Sequence, residues 1–149
     1  MTTVADILRA KGTSAIHSVA PSDTMLAALQ LMADKSIGAL MVLEDGAIAG
    51  IVTERDYARK IALQGRSSAN TEVSEVMTRK VHCVLPHQTS EECMSLMTSN
   101  RIRHLPVVNA QRQLLGLISI GDIVKEIISE QQFTIQQLEH YISGTRQIG

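Results

Sequence analysis

Along this chain the apolar residues fall into two rhythms that alternate and then begin again. Met25, Leu29, Met32 and Ala33 recur at the spacing of one helical face, and Cys93, Leu96 and Met97 do so further on. After each stretch come two short aliphatic runs around a turn, ALMVL-EDG-AIAGIV in one place and HLPVV-NAQRQ-LLGLIS in the other, which predict hairpins. Before each lies a short strand closed by Pro21 or Pro86, whose missing amide hydrogen bars a continuing ladder. Thr24 and Thr89 stand where a helix N-cap belongs, and Thr89 with Glu92 has capping-box spacing. A second helix is predicted after each hairpin, starting at Thr53-x-x-Asp56 and Ser119-x-x-Asp122.

The recurrence is a tandem repeat. IHSVAPSDTMLAALQLM aligns with VHCVLPHQTSEECMSLM without a gap, and SIGALMVLEDGAIAGIVTERD with RIRHLPVVNAQRQLLGLISIGD after one added residue in the turn. Upstream, VADIL resembles VSEVM. The polar stretch QGRSSANTE lacks periodicity and reads as a linker. The expected fold is α/β: two β-α-β-β-α repeats packed face to face with pseudo-two-fold symmetry, because neither covers its own sheet alone. The expected division is 1–66 for the first repeat with an N-terminal helix, 67–72 for the linker, 73–130 for the second repeat and 131–149 for a helical tail.

Composition narrows what such a pair can do. With 149 residues, 44% of them hydrophobic, and a formal net charge of -1, the chain carries neither a nucleic-acid footprint nor a polybasic membrane patch. It has no long apolar run and no signal-like start, so a cytoplasmic protein is expected. Cys83 and Cys93 match no zinc spacing and read as small buried hydrophobes. Tyr57, Phe133 and Tyr141 are the only aromatic rings, so a planar ligand would be held by aliphatic side chains and backbone. His17 and His82 occupy matching strand positions and read as half-exposed strand residues rather than metal ligands, and Met25, Met32, Met94 and Met97 read as packing. No motif points to a catalytic centre or a resident metal.

The repeated hydroxyl and aspartate have two readings. A Thr or Ser three residues before an acid at a strand-to-helix junction is a plain N-cap. It also suits a sugar: a carboxylate accepts both hydroxyls of a vicinal diol, and a helix start accommodates phosphate. The preceding glycine and two aliphatics are repeated as well, and Gly121 stands in the first turn of the second helix, where it costs about 1 kcal/mol against alanine. A cap alone does not explain Gly121, which suggests close approach by something other than a side chain.

The strand ending in proline, RIRHLPVVN, and G-h-h-T/S-x-x-D in both copies together resemble the CBS domain in its tandem form, the Bateman module, over Val4 to about Ile128. The resemblance implies a regulatory module that binds AMP, ADP, ATP or an adenosine-containing dinucleotide such as NAD in clefts between the units. The aspartate would take the ribose hydroxyls, and the Thr or Ser would contact ribose or phosphate. Carried over by position, the first site draws on Ile51, Thr53 and Asp56, with Thr78, Lys80 and Val81 from the opening of the other unit and Ile102 from its second strand. The second draws on Leu117, Ser119 and Asp122, with Ile37 and Gly38 across the cleft.

The resemblance also implies that Arg103 and His104 reach phosphate, which a cationic pair at a strand start is suited to do. The first unit departs from this, because its equivalents Gly38 and Ala39 carry no charge. Its phosphate is expected to rest on Thr78, Lys80 or Arg55, and the two sites are expected to differ in ligand. In the tail, Ile135, Leu138 and Ile142 share one helical face, with Gly144 as a C-cap, and could form a packed helix, a lid or a dimer contact. At least a homodimer is expected, acting on an unidentified regulated protein. The alternatives are an interaction module without a physiological nucleotide, and an enzyme. CBS pairs occur within inosine monophosphate dehydrogenases, but this chain has no room for their barrel.

Overall fold

The computed structural model describes residues 1–12 and 16–148. Helix α1 (Val4–Lys11) is capped by Thr3, followed by β1 (Ser18–Val19), α2 (Met25–Lys35) and the hairpin β2 (Ala39–Glu44) and β3 (Ala47–Thr53). Then come α3 (Glu54–Tyr57), which continues as a π-helical turn over Ala58–Ala62, and a short 3-10 turn over Ser68–Asn70. The second half holds α4 (Val73–Val76), α5 (Ser90–Asn100), the hairpin β4 (His104–Val108) and β5 (Leu114–Ser119), and α6 (Ile120–Ile148).

The first sheet has the order β1-β2-β3, with β1 parallel to β2 and β2 antiparallel to β3; the second pairs β4 with β5. The strand expected before Pro86 contracts to a parallel bridge between Val84 and Val107. The hairpins carry bulges at matching places, after Val42 and after Val107, so the repeat extends to an irregularity of the ladder. Thr24 and Thr89 cap α2 and α5 through the amides of Ala27 and Glu92. The capping box expected of Glu92 is incomplete, because its carboxylate accepts from Gln88 Nε2 at 3.2 Å.

The hydrophobic cores do not follow the sequence repeats. Val73, Val76 and Met77 are buried with Met25, Met32, Leu40 and Val52, although they open the second repeat. Val4 and Ile7 of α1 are buried with Val84, Cys93, Met97, Leu105 and Ile118 of the second. Reciprocal backbone bonds hold the exchange: Val4 N to Gln88 O and Ser90 N to Thr2 O on one side, Val73 N to Asp23 O and Met25 N to Thr71 O on the other. Each unit is thus closed by the helix that precedes the other, which gives the face-to-face arrangement its pseudo-two-fold symmetry.

Helix α6 is 29 residues long and passes through Gly144, so that glycine is not a C-cap. At about 1.5 Å per residue the helix reaches roughly 43 Å. Its first turns pack on α1 and α5; beyond them Ile128, Phe133, Ile135, Leu138 and Ile142 are exposed. Among the described residues no helix is long and apolar enough to cross a membrane.

Candidate functional site

Each hairpin delivers its last residue to the start of a helix, and the hydroxyl and aspartate there cap each other. Thr53 N donates to Asp56 Oδ2 at 2.9 Å and Asp56 N donates to Thr53 Oγ1 at 3.2 Å. Ser119 N donates to Asp122 Oδ2 at 2.8 Å and Asp122 N to Ser119 Oγ at 3.1 Å. The first helical amides are taken too, by Gly38 O for Glu54 and Arg103 O for Ile120. The capping reading is therefore correct in both copies, and it fixes each carboxylate in orientation. The amides of Glu54, Asp56, Ile120 and Asp122 are therefore occupied.

The two caps face two clefts of similar size. The first, about 470 Å³, is lined by Ile51, Thr53, Arg55 and Asp56 from one unit and by Thr78, Lys80, Val81, Ile102, Arg103 and His104 from the other segments, with Gly38 at its edge. The second, about 460 Å³, is lined by Leu117, Ser119 and Asp122 with Ile37, Gly38, Ala39 and His104. Both volumes lie in the range of small-molecule sites. All the residues assigned to the two sites from the sequence border one cleft or the other, and Gly38 and His104 border both.

Thr78, Lys80 and Arg55 line the Asp56 cleft as expected, but Arg103 lines it too rather than the Asp122 cleft, while His104 borders both and the uncharged Ala39 lines the Asp122 cleft. Face-to-face packing sets the start of β4 against the start of α3, where Arg55 Nη1 donates to Arg101 O at 3.2 Å. The cation-poor cleft is thus the one that holds Asp122.

Residues not singled out in the sequence also enter. Lys11 reaches the second cleft from α1, with Nζ 3.0 Å from Asp122 Oδ2 and donating to Leu117 O at 2.6 Å. Its signal was available, since extending VADIL over VSEVM to VADILRAK over VSEVMTRK pairs Lys11 with Lys80. Leu8 and Lys35 border the second cleft, and Glu54, Asn100 and Arg101 the first. His17 and His82, read as half-exposed strand residues, border the second and first clefts respectively.

The repeated glycines are explained by the exchanged segments. A Cβ on Gly50 would lie 2.7 Å from Thr78 O and 3.0 Å from Met77 Sδ, and one on Gly116 would lie 2.7 Å from Leu8 Cδ2. Ile51 and Thr78 pair by two backbone bonds, of 3.0 and 2.8 Å, directly beside Gly50. Gly121 has no such contact: it is exposed, and a Cβ there would meet only Ser119 Oγ at 3.6 Å.

Two groups of the clefts titrate away from their ordinary values. Burial opposes ionisation of Asp122, yet the Ser119 amide and Lys11 outweigh it and hold the carboxyl below the usual carboxylate range. Burial pushes the His104 imidazole down, with Lys11, Arg103 and Arg55 adding to the effect against the pull of Asp122. His104, which borders both clefts, is thus biased toward its neutral form.

A family model described as the CBS domain matches residues 4–63 and again 73–129, which covers both caps and both hairpins. The chain belongs to the CBS-domain family. It is 42% identical to the mitochondrial CBS domain-containing protein CBSX3 of Arabidopsis thaliana, over 96% of this chain and 73% of that one. Among solved structures, a Burkholderia ambifaria protein with CBS domains is 56% identical, with a TM-score of 0.84 over 90% of this chain and 99% of that one. At 24% identity the likeness is one of fold: CBSX2, solved in complex with AMP, superposes with a TM-score of 0.70 over 88% of this chain and 99% of that one.

Proposed function

We propose that this CBS pair is a regulatory module that binds adenine nucleotides, AMP, ADP, ATP or an adenosine-containing dinucleotide such as NAD, in its two clefts. The observation that carries the reading is the pair of capped carboxylates, Asp56 and Asp122, each held rigid at the mouth of a cleft of about 460 to 470 Å³. A carboxylate fixed in this way is pre-organised to accept both hydroxyls of a ribose, each worth about 1.5 to 3 kcal/mol as a hydrogen bond to a charged group. Aliphatic Ile51, Val81 and Ile102 supply the apolar walls for a base. That the same fold holds AMP in CBSX2 supports the reading.

Signalling follows from the exchange of segments. A ligand at Asp56 touches Thr78 and Lys80, just beyond the segment that closes the first core; one at Asp122 touches Lys11, at the end of the helix that closes the second. Binding there shifts the balance of two arrangements to the extent that it differs in affinity for them. The regulated partner is another protein.

We infer a homodimer through α6. Val124, Ile128, Gln131, Ile135, Leu138 and Ile142 repeat at alternating spacings of four and three, a heptad seam with Ile at one core position and Val, Gln and Leu in turn at the other. A mostly apolar seam of this period pairs helices, and Ile128, Ile135, Leu138 and Ile142 are about half exposed in the single chain.

Mass spectrometry of small molecules released when the purified protein is denatured tests the proposed function. An adenine nucleotide released, and a thermal shift on adding it back, is the expected result. No release, and no thermal shift with any adenine nucleotide, would favour an interaction module with empty clefts.

A further inference from the structure

Both clefts receive a lysine from the crossing segment, Lys80 in one and Lys11 in the other, at the same place in the repeat. The two lysines are in different states. Lys11 is held inside its cleft by Asp122 at 3.0 Å and Leu117 O at 2.6 Å. Among the described residues Lys80 has no ion-pair partner.

The two helices also differ one turn beyond the aspartate. Four residues after Asp56 stands Lys60, whose Nζ is 3.1 Å from Asp56 Oδ1 and also donates to Val76 O at 2.7 Å. Four residues after Asp122 stands Glu126. Lys60 thus supplies the counter-charge of Asp56 locally, whereas the matching position after Asp122 holds an acid, which cannot do so. Asp122 then takes its counter-charge from α1.

We propose that the residue four positions after each aspartate selects the ligand end its cleft accepts. Lys60 leaves Lys80 free, and the Asp56 cleft takes a phosphate-bearing nucleotide; Glu126 leaves Lys11 captured, and the Asp122 cleft takes an uncharged nucleoside end. Arg55, Arg101 and Arg103 surround the first cleft beside Lys80. In the second, once Lys11 is engaged, Lys35 is the one remaining lysine or arginine among the described lining residues. The inference rests on the nucleotide reading and deepens it, since it assigns a different part of the ligand to each site.

Titration calorimetry with AMP and adenosine tests it. In an Asp56→Ala background, which isolates the Asp122 cleft, the two probes should bind within about threefold of each other. Adding Glu126→Lys frees Lys11 and should tighten AMP by about tenfold, as one charge-assisted bond to phosphate does. Adenosine should change by less than about twofold, since it lacks the phosphate on which the freed ammonium acts. Adding Lys11→Met to that variant should abolish the gain, which separates Lys11 from a general effect of reversing a surface charge. In an Asp122→Ala background, Lys60→Glu should weaken AMP by about tenfold and spare adenosine. Unchanged AMP affinity in these charge swaps, with adenosine still bound, would overturn this inference alone, as would a gain that survives Lys11→Met. Failure of wild type to bind either probe would overturn the nucleotide reading with it.

Discussion

Gly50 lies directly beneath the carbonyl of Thr78, so that a methyl group there would sit 2.7 Å from that oxygen. The contact is backbone to backbone and is pinned by the Ile51–Thr78 pair. Gly50→Ala is therefore expected to cost about 1 to 3 kcal/mol, as overpacked sites do. Gly116→Ala meets only the mobile tip of Leu8 and should cost clearly less. Urea unfolding of the two variants checks the order, and an equal loss would contradict it.

His104 makes stability depend on pH. Its native value is held below the ordinary 6.5, by burial first, so in the interval beneath 6.5 the unfolded chain binds a proton that the native chain does not. Stability should fall as pH drops through 6.5 and continue to fall until the native imidazole titrates. Asp122, held low in the native state, loses its contribution only in the more acidic carboxylate range, so the two effects separate. Unfolding midpoints at pH 7.5 and 5.5 check this, with His104→Asn expected to flatten the difference.

The exposed stripe on α6 bears on assembly. Leu138→Glu with Ile142→Glu should halve the mass seen by light scattering. The unfolding midpoint of the body should stay nearly unchanged, because substitutions at exposed positions outside the core usually stay within about 0.5 kcal/mol. A mass that stays at the dimer value would place the interface elsewhere.

Cys93 is fully buried in the second core, and burial pushes its thiol up to about 11. Alkylation at pH 8 should be slow in the native protein and become at least about tenfold faster in urea, because the thiolate is the reactive form. Equal rates in both states would show that the second core opens readily.

Much of this architecture was legible in the sequence because the repeat makes each half a check on the other. Thr24 against Thr89, Pro21 against Pro86 and Asp56 against Asp122 placed the helices, the hairpins and the caps. The exchange of α1 and α4 was not legible: Val4 and Val73 look like local helix residues, and which core they enter depends on how the halves close. The same limit misplaced Arg103, which sits in one repeat and lines the cleft that contains the other repeat's Asp56. Gly144 looked like a stop, yet no structural break accompanies it and the helix continues to Ile148.

The central claim is that Asp56 and Asp122 are ribose acceptors, and AMP calorimetry on wild type and the Asp56→Ala, Asp122→Ala double variant tests it most directly. Loss of two charged hydrogen bonds per ribose predicts at least about a hundredfold weakening in the double variant, with each single variant losing one class of site. An AMP isotherm unchanged in the double variant would contradict the assignment.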